Sequence, residues 1–222
     1  MKHIDKLPPP KSFVEFCAKP HSFYDSSDFP KDDLRQNLLA EQGYICCYCM
    51  KRIPESTSPF MKVEHFKCQE RYSYLQLTYT NLLGACTGNL GQPIIKQTCD
   101  TKKGSQDITI SLISNAPNCE TLFRYNAEGE ISSINNNEEI NLQLNDILNL
   151  NMQTLKDGRR EIYLEVQKKV EADSRQIGNR QLKIKFFERE RNNWLSKIGN
   201  KYRPFCMVAV YYLNKKIRQF KT

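Results

Sequence analysis

Apolar positions change their spacing several times along the chain, and each spacing predicts a different element. Residues 1–31 are rich in proline and carry few periodic apolar positions, which reads as an irregular arm anchored by Phe13, Val14 and Phe16. From Asp32 the pattern turns helical: Leu34, Leu38 and Leu39 share a face, Asp32 is placed to cap, and Gly43 ends a helix that runs to Gln42. Ile45–Tyr48 and Lys62–Phe66 are short strand signals in a segment dense in Cys and Gly. The run from Glu120 to Ser132 has two alternating stretches around Gly129, which predicts a β-hairpin. Beyond it Leu155, Ile162, Val166 and Val170 recur on one helical face, as do Phe205, Val208, Ala209, Tyr212, Leu213 and Ile217. Around Leu182, Ile184 and Phe186 periods of two and 3.6 compete, and the surrounding Arg and Glu favour helix. The prediction is an α+β protein in three parts: an arm (1–31), a compact module (32–105), and a hairpin with a mainly helical lobe (106–222).

Composition adds a compartment and a partner class. The N-terminal residues lack the apolar run of a secretory signal, and Pro204–Leu213 is far shorter than the roughly 18 residues of a spanning helix. A cytoplasmic protein with no membrane segment is expected. In that compartment an odd count of nine cysteines points to metal rather than disulfides. The net charge of +8 is uneven, with residues 156–222 holding 18 Lys and Arg against 7 Asp and Glu. A basic helical lobe suits a polyanion, because neutralising phosphates releases counterions, although a merely solvated surface has the same composition.

Cys46 and Cys49 form a Cys-x-x-Cys knuckle, the shortest spacing that brings two thiolates to one ion from a tight turn. Cys86 and Cys99 follow beside turn-forming residues, so the four predict a closed structural zinc site. The 12 residues between Cys86 and Cys99 are a long spacer for a second knuckle. Cys17, Cys47, Cys68, Cys119 and Cys206 have no such spacing and read as packing residues.

Between and after these cysteines lie the groups that phosphodiester hydrolysis requires. His65 can accept a proton near neutrality, Glu64 and Asp100 are hard oxygen donors for Mg²⁺ or another divalent ion, Asn81 can hold the His65 strand or orient its ring, and Lys103 can meet a phosphate. Glu64 and His65 are adjacent, and adjacent strand residues face opposite ways, so both can serve one site only where the strand ends or bulges. The plain alternatives are a surface Glu, a core His satisfied by backbone, and an Asn in a turn.

The segments Glu41-Gln-Gly-Tyr-Ile-Cys-Cys-Tyr-Cys49, Val63-Glu-His-Phe66, Asn81-Leu-Leu83 and Cys99-Asp-Thr-Lys-Lys-Gly104 resemble the HNH endonuclease superfamily. More narrowly, they resemble PtuB-type HNH proteins, the nuclease subunits of Septu and some retron antiphage systems. The specific motifs cover residues 41–104, and a fainter likeness, at Ile140–Asn145 and the helices that follow, extends over much of the chain. The resemblance implies a ββα-metal core, with His65 as general base, Asn81 as the central asparagine, and Glu64 and Asp100 as ligands of a catalytic divalent ion. Asp100 departs from the usual His or Asn of that position. It also implies a nucleic acid substrate, a PtuA-type ATPase partner and, in retron versions, a reverse transcriptase with its DNA–RNA product.

Two other readings compete. A zinc-ribbon module could bind nucleic acid or protein with no chemistry, leaving Glu64 and His65 incidental. A zinc deaminase is disfavoured, because its His-x-Glu followed by Pro-Cys-x-x-Cys is absent.

Overall fold

A computed structural model describes residues 1–57 and 59–221. Among them are seven α-helices and two antiparallel two-stranded sheets. The α+β expectation holds at this level.

The first 31 residues are more ordered than their prolines suggest. They contain a helix, α1 (Lys11–Cys17), which buries Phe13 and Phe16 against Phe29. Val14, an expected anchor, is instead exposed, since a helix that turns positions 13 and 16 inward turns position 14 out. Helix α2 (Lys31–Glu41) buries Leu34, Leu38 and Leu39 as the spacing predicts. Pro30 precedes it without a side-chain cap, and Asp32 lies in its first turn rather than at the cap. There its charge still complements the positive end of the helix dipole. Gly43 follows the helix at φ +61°.

Ile45–Tyr48 does not form the expected strand. Ile45 makes a single bridge to Arg52, and the residues between them turn tightly. Met50 donates to the Cys46 carbonyl at 3.0 Å with a positive φ, and Cys46 donates to the Lys51 carbonyl at 2.9 Å. Strand β1 (Met61–His65) then pairs with β2 (Leu82–Cys86), and α3 (Cys99–Lys103) follows. In that sheet Glu64 faces Leu83, and His65 faces Leu82 on the last rung.

The predicted hairpin is present as β3 (Phe123–Tyr125) and β4 (Ile131–Ser133). A short helix α4 (Glu138–Leu142) leads to three longer ones, α5 (Gln153–Arg175), α6 (Arg180–Leu195) and α7 (Cys206–Lys221). Helix α6 resolves the ambiguous stretch: Ile184, Phe186 and Phe187 are buried while Leu182 is exposed. On α5, Arg159 shares the inward face with Leu155 and Val166. Its buried guanidinium donates to the carbonyls of Gly129 (2.6 Å) and Leu150 (2.7 Å), so it ties hairpin to helix rather than adding to a binding surface.

One buried cluster extends from Met1 to Ile217 through every part of the chain. The arm is pinned to it by backbone as well as side chains, for the Ile4 amide donates to the Leu112 carbonyl at 2.9 Å. No helix among the described residues is long and apolar enough to cross a membrane.

Candidate metal centre and adjoining cleft

Four thiols converge from three elements: Cys46 and Cys49 from the turn after α2, Cys86 from the end of β2, and Cys99 from the start of α3. Their sulfurs all lie within 4.8 Å of one another. Cys86 is 3.8 Å from both Cys49 and Cys99. A tetrahedral ion with four thiolates at about 2.3 Å spaces its sulfurs by about 3.8 Å, whereas a disulfide needs about 2.05 Å. The donor set and its spacing therefore fit zinc. The Lys51 amide also points at Cys49 Sγ from 3.4 Å, as amides do around knuckle thiolates.

The long spacer between Cys86 and Cys99 is a closed loop, which explains how it serves a tight site. Thr98 donates to the Gly88 carbonyl at 2.9 Å, and Thr101 Oγ1 to the Thr87 carbonyl at 2.9 Å, so the two ends meet and the residues between bulge outward. Gly88 is at φ +54°, and a Cβ there would stand 2.1 Å from the Thr98 carbonyl oxygen. Only glycine fits this junction.

Beside the thiol cluster is an open cleft. Lys62, Glu64, His65, Asp100 and Thr101 line it, with Leu90 and Gln97 of the spacer loop. β1 ends at His65, so the two adjacent residues reach one cleft as the strand geometry requires. Glu64 is 1% exposed and forms the floor, and the half-buried His65 sits at the wall.

His65 is held on two sides. Its Nε2 lies 3.1 Å from the Gln76 carbonyl oxygen, and its ring meets Tyr24 edge-on at 4.5 Å between centroids. A carbonyl only accepts, so Nε2 donates, and in the neutral ring the lone pair is on Nδ1. Gln76 is fixed in turn, its side chain accepting from the Tyr24 amide at 3.0 Å. Burial lowers the His65 pKa below its ordinary value, against the opposing pull of the Gln76 carbonyl and Asp100. That shift favours the neutral form of the ring.

Glu64 accepts at one oxygen from Tyr48 (2.7 Å) and from Lys103 (2.8 Å). Burial, reinforced by the neighbouring Asp100, pushes the Glu64 carboxyl up, while Lys103 opposes the shift. Burial acts on Asp100 in the same sense, but the hydrogen bond with Glu64 and the charge of Lys62 outweigh it and leave Asp100 below its ordinary value. Lys62 is ion-paired with Asp100.

Asn81 is buried just before β2. Its Oδ1 accepts from the Lys67 amide at 2.8 Å, and its Nδ2 donates to the carbonyls of Lys67 (3.0 Å) and Leu75 (3.2 Å). It clamps the loop after His65, while the imidazole takes its orientation from Gln76. Lys103 is placed differently from the sequence expectation. Its side chain is 0% exposed and its ammonium points inward to Glu64 and the His65 carbonyl, so it does not face phosphate at the surface.

Asp100 and, below it, Glu64 give the cleft hard oxygen donors. Among the described residues only the four cysteines form a close group of three or more metal-binding side chains.

Tyr48, Gln76, Tyr24 and Lys62 belong to this site and were missed by sequence reasoning. Strand alternation puts positions 62 and 64 on one face, a signal that could have found Lys62. Tyr24 and Gln76 meet His65 only through long-range folding, and nothing local marks them. No model of a known protein family matches the chain, and no curated protein matches it.

Proposed function

We propose that this protein is a metal-dependent HNH-type endonuclease in which His65 is the general base. The observation that carries the reading is the placement of the imidazole, its Nε2 held by the Gln76 carbonyl, in an open cleft with Asp100. The order strand, strand, helix around the thiol cluster, with His65 closing β1 and Asp100 in the first turn of α3, agrees with the ββα-metal resemblance.

In this mechanism His65 Nδ1 takes a proton from the attacking water while Nε2 remains fixed to Gln76. Asp100, with Glu64 beneath it, would hold a divalent ion, which supplies charge for the leaving oxygen. Asn81 keeps the loop beyond His65 in place, and a zinc ion bound by the four thiolates would hold β2 and α3 together. The exposed Lys168, Lys185 and Lys215 of the helical lobe offer charge to a nucleic acid backbone or to a protein partner. By resemblance that partner is a PtuA-type ATPase, with a retron reverse transcriptase and its DNA–RNA product in some systems, and the role is antiphage defence.

The second reading, a zinc-bearing binding module, is favoured by one observation: the two carboxylates offered to a catalytic ion already have ammonium partners, Lys62 on Asp100 and Lys103 on Glu64. Cleavage assays of DNA and RNA with Mg²⁺ or Mn²⁺, with and without the ATPase, decide between the two. Cleavage that His65→Ala abolishes supports the nuclease. A fully active, folded His65→Ala protein rules out the assigned base, and absence of metal-stimulated cleavage under all conditions favours the binding module.

A further inference from the structure

Lys62 is the only Lys or Arg that lines the cleft among the described residues. Its ammonium rests on Asp100, with Thr101 Oγ1 at 3.3 Å, and its side chain is one-third exposed. Lys103 has no comparable freedom, for it is sealed against Glu64. We propose that Lys62 is the phosphate-binding residue of the cleft and that it exchanges partners, leaving Asp100 when a divalent ion arrives and pairing with the substrate phosphodiester. The substrate half of this inference rests on the nuclease reading.

The argument is electrostatic. A divalent ion and an ammonium compete for the Asp100 carboxylate, and the doubly charged ion gains more from it. The displaced ammonium is on a flexible four-carbon stem rooted in β1, so it stays in the cleft. An incoming phosphodiester brings an anion to it there, free of the lysine that already holds Glu64. In the metal-free state the same ammonium offsets the Asp100 charge, which keeps the cleft from being strongly acidic.

Two measurements on the full zinc-loaded chain test this without relying on cleavage. Mn²⁺ binding, read by electron paramagnetic resonance, is expected to tighten by about three- to tenfold in Lys62→Ala, because the competing charge is gone. Binding of a short fluorescein-labelled DNA duplex in Ca²⁺, read by anisotropy, is expected to weaken, and its log–log salt slope to fall by about one. Lys62→Arg keeps the salt slope. Unchanged or weaker Mn²⁺ binding in Lys62→Ala overturns the exchange, and an unchanged salt slope overturns the phosphate contact. If both shifts occur but the wild-type protein cleaves nothing, the role of Lys62 stands and the nuclease reading fails. If His65-dependent cleavage is seen without the two shifts, the nuclease stands and this inference fails.

Discussion

The Lys103 ammonium lies 2.8 Å from Glu64 Oε1, and neither side chain is more than 2% exposed. Two residues that the sequence offers to substrate and metal are thus bound first to each other, beneath the cleft. An ammonium at this depth is tolerated only with a counter-charge. Glu64→Leu is therefore expected to cost about 3–5 kcal/mol of stability in denaturant unfolding, with partial recovery in the Glu64→Leu/Lys103→Met double variant. A cost near zero for Glu64→Leu would show that Lys103 reaches water.

The thiol cluster gives a prediction about metal content. Purified protein is expected to carry about one zinc per chain, and Cys46→Ser or strong chelation to unfold the region around β1, β2 and α3. The stake is on the order of 10 kcal/mol, typical of structural zinc. Circular dichroism and metal analysis together check it, and a chain that keeps its melting temperature without zinc contradicts it.

On the nuclease reading His65→Ala removes the proposed base, and what else it removes is one hydrogen bond to a backbone carbonyl and an edge-on contact with Tyr24. Cleavage is expected to fall by about 10²–10⁴-fold with the fold retained. The paired readouts are a cleavage rate and a thermal melt.

The lowered His65 pKa sets the sign of a pH dependence. The base must be neutral to work, and its neutral form persists below the ordinary histidine value of about 6.5, so kcat/KM is expected to reach its plateau by that pH. Its effect on stability has the same direction. As pH falls below about 6.5 the unfolded chain takes the proton before the folded one does, and this group's contribution to stability declines. An acidic limb centred above pH 7 would contradict the assignment of the base.

Asn81 makes three hydrogen bonds that no smaller side chain replaces. Asn81→Ala is expected to destabilise by about 2–3 kcal/mol, the scale for leaving buried backbone groups unpaired, and to slow cleavage by loosening the loop after His65. Unfolding in urea measures the first effect. Retention of full stability would mean that water satisfies the freed groups.

Spacing by itself determined most of the elements and the ligands of the candidate metal centre. The faces of α2, α5 and α7, the β3–β4 hairpin and the convergence of Cys46, Cys49, Cys86 and Cys99 all follow from period, turn residues and ligand chemistry. The arm was harder, because its prolines masked α1 and its aromatic anchors gain meaning only against Phe29 and Tyr79. Tertiary structure alone decided which atom faces which: that Gln76 orients His65, that Tyr48 and Lys103 claim Glu64, and that Lys62 rather than Lys103 lines the cleft. The physical reason is that periodicity specifies the side of an element a residue occupies, whereas its partner depends on how separate elements pack. Residues 24, 65 and 76, or 48, 64 and 103, become neighbours only once the core has closed around them.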